Sequence, residues 1–172
     1  MKGYQYIQTK QIEWAHNRGI ELIGSKGDRG RPSYVLDLNQ NLFQPLLDEV
    51  RDAFMGGDGN ELGSTDSPGK MQAVHSSSAP GVNVFQYWHA LSEVSMIAAA
   101  CGLCRRGSSA PQELRFEDKY PINDGFGVNP NIDVVIYNRP SAKIQRLAIE
   151  CKFSEAYSGR RHGGIKQRYL AE

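Results

Sequence analysis

The chain opens on apolar residues at loosely helical spacing. Tyr6, Ile7, Ile12, Trp14 and Ala15 recur before Asn17-Arg18-Gly19 supplies a stop, which predicts a helix over 6–16. Three glycines and a proline between Gly24 and Pro32 read as a loop, and Ser33–Leu38 alternates briefly, as a short strand or an extended lead-in. Leu42, Phe43, Leu46, Leu47, Val50, Ala53 and Phe54 then repeat at three and four, the stripe of an amphipathic helix. Between Met55 and Lys70 five glycines and Pro68 stand among acids and hydroxyls, with little apolar surface to order them. A long mobile or substrate-ordered loop is expected there.

His75-Ser76-Ser77-Ser78 has the character of a helix cap, and Val82–Leu103 is the longest apolar stretch, read as one mostly buried helix. Beyond a break at 105–111 the period changes to two. Leu114, Phe116 and Tyr120 mark a first strand, Ile132–Tyr137 a second and Leu147–Phe153 a third, with turns at Asn123-Asp124-Gly125 and Asn138-Arg139-Pro140. Gly163-Gly164 opens a helical pattern that lasts about two turns, so the chain reads as a fragment of something longer.

Composition narrows the class. With 172 residues, 40% of them hydrophobic and 23% charged, the chain suits a single globular domain. No apolar run reaches the roughly 18 residues of a membrane span, and the N-terminus lacks a secretory core, so a cytoplasmic protein is expected. Three cysteines are too few for a disulfide scaffold. Cys101 and Cys104 have zinc or redox spacing but no second soft pair, and read as small residues ending a helix. The net charge of +1 excludes a histone-like protein and an acidic tail protein, though not a local basic surface.

The third strand carries the chemistry. Its alternation puts Leu147, Ile149, Cys151 and Phe153 on one face and Ala148, Glu150 and Lys152 on the other. A carboxylate and an amine thus point the same way from what reads as a buried central strand, where ions are costly unless paired or functional. The second strand holds another lone acid, Asp133. If the two strands form a hairpin, Asp133 and Glu150 converge on one hard divalent cation, Mg²⁺ or Mn²⁺, with Lys152 beside it. Such a cation polarises a phosphoryl oxygen and acidifies bound water, while an ammonium orients that water. Hydrolysis of a phosphodiester is the chemistry this set serves.

These residues resemble the PD-(D/E)xK nuclease superfamily, the restriction-endonuclease-like fold. Pro130-Asn131-Ile132-Asp133 stands for the first element and Glu150-Cys151-Lys152 for the second, seventeen residues after Asp133. The segments Asn60-Glu61-Leu62, Ala73–Ala79 and Asn83–Trp88 look like those of uncharacterised bacterial proteins bearing this domain. The resemblance implies an α/β (α+β) core over 75–172, a central mixed sheet flanked by helices, preceded by a mainly helical extension over 1–74. The implied order is core helix, three antiparallel strands, second helix and fourth strand. The fourth strand has no candidate in this chain, so a core truncated at its C-terminus is expected. Many members add a further acid. Glu117 is the first choice, with Glu93 and Glu61 as alternatives.

A nuclease must also hold a polyanion. From Arg139 to Arg168 eight Lys and Arg face two acids, a local net of +6, while the rest of the chain carries −5. Arg160, Arg161, Lys166 and Arg168 are the expected nucleic-acid contacts. The expectation is therefore a Mg²⁺- or Mn²⁺-dependent nuclease with metal ligands Asp133 and Glu150, water-positioning Lys152 and a completing Glu117. It acts on DNA rather than RNA, with a homodimer as a candidate assembly. The alternative is a catalytically inactive nuclease-fold module that binds nucleic acid or a protein, in which Glu150 and Lys152 merely pair. No Gly-x-Ser-x-Gly elbow or phosphate-binding glycine motif is present.

Overall fold

The computed structural model describes residues 3–23, 31–57, 59–64, 67–121 and 129–153. Helix α1, Gly3–Asn17, ends at the expected stop, where the N–H groups of Gly19 and Ile20 bond back to the carbonyls of His16 and Ala15 at 3.0 and 2.9 Å. Its one buried residue, Ala15, packs with Val35 and Val74 in a small cluster. Segment 33–38 is the extended lead-in. Tyr34 and Val35 each make a single antiparallel bridge, to Ala73 and Leu22.

The amphipathic helix is shorter than its stripe. Helix α2 covers Asp48–Gly56 only, and a 3-10 turn at Leu38–Asn41 precedes it. Pro45 disfavours helix in the residue before it, and side-chain amides of the next helix pin the stretch between. Asn83 accepts from the Phe43 N–H at 2.6 Å and donates to the Asn41 carbonyl at 3.1 Å. Gln86, 1% exposed, accepts from the Leu47 N–H and donates to the Pro45 carbonyl, each at 3.0 Å.

The glycine-rich stretch is more ordered than its composition implied. Gly63–Ser64 (β1) and Ser67–Pro68 (β2) form a small antiparallel ladder, and the fully buried Met71 anchors its exit. Gly69 is required there, since a Cβ at that position would fall 2.2 Å from the Glu61 carbonyl oxygen.

The single long helix expected over 82–103 is instead two, α3 at Ser78–Ala90 and α4 at Val94–Ala100. Ser92 takes the left-handed conformation, φ 57°, while the N–H groups of Ser92 and Glu93 bond back to His89 and Trp88, each at 2.9 Å. That pattern closes a helix whatever the apolar periodicity across it. At the other end of α3 the N-cap residue Ser77 makes no side-chain capping bond, and Ser76, one residue earlier, accepts from the Ala79 N–H at 3.4 Å.

The strands follow as β3 (Pro111–Lys119), β4 (Asn131–Asn138) and β5 (Arg146–Ile149), an antiparallel sheet in the order β3-β4-β5. Among the described residues the central strand is β4, not the third strand as expected. Val134, Val135 and Ile136 are 1%, 0% and 0% exposed, whereas β5 alternates between exposed and half-buried. The ladder stops at Ile149, though the alternation runs on, with Glu150 and Lys152 exposed and Cys151 and Phe153 half-buried. All strand pairs among the described residues are antiparallel. The mixed sheet is therefore not seen there, and the helix expected from 163 lies outside them.

Helices cover one face of this sheet. Leu114, Phe116, Val134 and Ile136 meet Val50, Phe54, Met71, Val82, Phe85 and Ile97 in the main core. Each fully buried aliphatic side chain there contributes about 1.5–3 kcal/mol. This core draws on both sides of residue 74, because α2 packs directly on β3.

Candidate active site

The hairpin between β4 and β5 brings the acids together. Its register ends with Val134 paired to Ile149, so Asp133 and Glu150 are the next residues beyond the ladder on each strand, and Glu150 and Lys152 are not among the residues that line the crevice described below. The Asp133 Oδ2 accepts from the Cys151 N–H at 2.6 Å, which fixes the carboxylate against the start of the Glu150-Cys151-Lys152 segment. Lys152 Nζ is bonded to Glu150 Oε1, and both side chains are about half exposed.

Glu117 reaches the same place by a distortion. In the β3–β4 ladder the register passes from Phe116–Val134 to Asp118–Ile132, and between them Glu117 holds φ at 48°. For a non-glycine strand residue this is a strained conformation. The side chain is half-buried, and its Oε2 accepts from Asn131 Nδ2 at 3.2 Å. Gly57, just past α2, leaves room for it, since a Cβ there would lie 3.1 Å from that oxygen. Glu117, Asp133 and Cys151 line one narrow crevice with Phe54, Ser78 and Gly81.

The electrostatics are those of crowded carboxylates. Burial and then the Asp133 charge push the Glu117 carboxyl above its ordinary range, with Glu61 and Glu150 adding to the rise and Asn131 opposing it. Burial likewise pushes Asp133 up, opposed by the Cys151 N–H and Lys152 and reinforced by Glu150 and Glu61. The Cys151 thiol is pushed up to about 11, chiefly by burial, which leaves it un-ionised at neutral pH.

Glu61 belongs to this field as well. Its Oε2 accepts from Ser78 Oγ at 2.8 Å and its Oε1 lies 3.5 Å from Lys70 Nζ. Of the alternative acids Glu61 is thus brought near the crevice, while Glu93 caps α4 and enters neither shift. From sequence Asn131 reads only as part of the Pro130–Asp133 element and Ser78 only as part of a helix cap, because only the folded chain shows the contacts they make with Glu117 and Glu61.

Hard oxygen donors that raise one another's pKa fit a divalent cation in charge and chemistry. Yet among the described residues no three His, Cys, Asp or Glu side chains are grouped tightly enough to hold an ion between them. The Glu150 carboxylate is turned to Lys152 instead.

The expected contacts Arg160, Arg161, Lys166 and Arg168 lie outside the described residues. Of the other cations in the basic segment, Arg146 stacks over Tyr120 and Tyr137 at 5.5 and 5.3 Å, and Arg139 donates to Ser109 Oγ at 3.2 Å. No helix among the described residues is long and apolar enough to cross a membrane.

A family model matches residues 8–170. The chain belongs to the family described as Restriction Endonuclease associating with ARP. The Restriction Endonuclease associating with ARP match supports a nuclease-like, restriction-endonuclease-like domain, and it runs through residue 74 without a break. No curated protein matches the chain. No solved structure matches it either.

Proposed function

We propose that this chain is a metal-dependent nuclease that hydrolyses phosphodiester bonds in DNA through a PD-(D/E)xK-type site. The observation that carries the reading is the Cys151 N–H bond to Asp133, which ties that carboxylate to the Glu150-Cys151-Lys152 segment just past the β4–β5 ladder. Family membership supports the nuclease class.

Asp133, Glu150 and Glu117 would hold a Mg²⁺ or Mn²⁺ ion. When bound, such an ion supplies positive charge to the phosphoryl oxygens and acidifies a water molecule. The chain's own residues do the rest. The Cys151 N–H orients the Asp133 carboxylate, and Asn131 orients that of Glu117. Lys152, paired with Glu150 in this structure, would offer its ammonium to the attacking water and to the charge that builds on the phosphate. Phe54, Phe116 and Val82 wall the crevice with apolar surface, which strengthens every charge interaction inside it. Association with ARP, carried by the family's description, is extended to this chain as part of the same proposal.

One observation favours a second reading. The Glu150–Lys152 ion pair is already made, as in a nuclease-fold module that binds nucleic acid or a protein without cutting. Labelled single- and double-stranded DNA incubated with Mg²⁺ or Mn²⁺ separates the two. Cleavage by the parent that disappears in Asp133→Ala and Lys152→Ala supports the nuclease, whereas cleavage surviving both substitutions removes the site assignment. DNA binding without cleavage supports the module.

A further inference from the structure

A second cavity adjoins the acidic crevice. Ser78 lines both, and the Ser78–Glu61 hydrogen bond forms part of the wall between them. The cavity encloses about 180 Å³ and is lined by Tyr34, Glu61, Lys70, His75 and the run Ser76 to Ser78. Roughly 300–1,000 Å³ is usual for a site that takes a whole drug-sized ligand. This one suits a smaller unit.

Its walls are built rather than incidental. The Tyr34–Ala73 bridge ties one side to the other, reinforced by the Val35 N–H to the Gln72 carbonyl and the Val74 N–H to the Ser33 carbonyl, each at 2.9 Å. The Tyr34 and Tyr4 rings meet His75 edge-on, with centroids 6.4 and 5.8 Å away. Arg31 lies over the Tyr34 ring at 5.1 Å and donates to its hydroxyl at 3.1 Å. Lys70 sits on the rim with its side chain 60% exposed. The one acid among the lining residues, Glu61, is 15% exposed and faces Lys70 and the Ser78 hydroxyl, so the lining sets one ammonium against one carboxylate, and Arg31 adds its guanidinium from outside, on the Tyr34 ring.

An ammonium, several hydroxyls and two flat rings in one small polar cavity, with a guanidinium held against its Tyr34 wall, are the chemistry of a nucleotide unit. Its phosphate would take Lys70 and the serine hydroxyls, and its sugar or base would lie against Tyr34 and His75. We propose that this cavity is the subsite for the nucleotide next to the scissile phosphodiester. The proposal rests on the nuclease reading, because the shared wall is what places the cavity one step along a bound strand.

The test uses the full chain, a short fluorescein-labelled DNA strand, and the variants Lys70→Gln and Arg31→Gln. Both side chains stand at the surface, so both variants should fold. In EDTA, fluorescence anisotropy should show affinity falling roughly threefold to tenfold in Lys70→Gln, with the slope of log affinity against log salt shallower by about 0.7–0.9. With Mg²⁺ the same variant should raise KM for the strand and leave kcat near the parent's. Unchanged affinity, salt slope and KM in both variants overturn the subsite, as does a loss confined to kcat. The two readings fail separately. A parent that cleaves while Lys70→Gln matches it in every respect loses the subsite and keeps the nuclease. A parent that binds the strand through Lys70 but never cleaves loses the nuclease and keeps only a strand-binding cavity, not a subsite beside a scissile bond.

Discussion

Replacing Glu117 with alanine and, separately, with glycine separates what this residue costs the fold from what it does for the site. Its backbone is held at φ 48°, where an L-residue pays about 1–2 kcal/mol and glycine nothing. Glu117→Ala removes the carboxylate and keeps the strain, whereas Glu117→Gly removes both. In an ordinary strand the glycine variant is the weaker of the two by about 0.5–1 kcal/mol, from the entropy it loses on folding. Here the relief of strain exceeds that loss, so Gly should be more stable than Ala by about 0.5–1 kcal/mol. For a chain of this size that is about 1–4 °C in Tm. Both variants should also gain at neutral pH from the removal of a half-buried acid that burial and Asp133 disfavour as an ion. Urea unfolding at neutral pH and thermal scans read the stability, and DNA cleavage with Mg²⁺ reads the function, which should fall to background in both. A glycine variant less stable than the alanine variant refutes the strain argument, and full cleavage in either removes Glu117 from the site.

Three further outcomes are expected. Glu117 and Asp133 both lie above the ordinary carboxylate range, so the folded state binds protons more tightly than the unfolded one. Their contribution to stability is fully present below the unfolded pKa values, about 4, and is lost as pH rises through the folded ones. Tm measured in steps from neutral pH downward should therefore show a gain from this pair that Glu117→Gln with Asp133→Asn abolishes. Ile136→Ala, at a fully buried position of the central strand, should cost about 2–5 kcal/mol by urea unfolding, while Ala148→Ser on the exposed face of β5 should change stability by less than about 0.5 kcal/mol. Ser92→Gly should stabilise by about 0.4–1 kcal/mol, since it relaxes the left-handed residue that parts α3 from α4.

Where a local pattern decides the structure, the sequence was readable. The switch from helical to alternating periodicity near residue 111 located three strands, and the two faces of Leu147–Phe153 are those the exposure shows. That the strands bearing Asp133 and leading to Glu150 form a hairpin followed from two adjacent strand patterns. Contacts made across the fold were not readable. Asn83 and Gln86 shorten α2 from some forty residues away, and Ser92 breaks a helix inside an uninterrupted apolar run. Order in the glycine-rich stretch comes from Met71 beneath it and Ser78 beside it, partners its own composition does not reveal. Asn131 stood inside the quoted motif, yet its hold on Glu117 depends on the backbone distortion of β3.

The central claim is that the Asp133–Glu117 crevice is a metal-dependent catalytic centre. Anomalous difference maps from crystals grown with Mn²⁺ test it most directly. The account predicts a strong Mn²⁺ peak in the crevice between Asp133 and Glu117, with Glu150 turned toward it from Lys152, and no such peak in Asp133→Asn crystals grown alongside. An empty crevice in the parent, with Glu150 still paired to Lys152 and Mn²⁺ bound elsewhere on the chain, would contradict it.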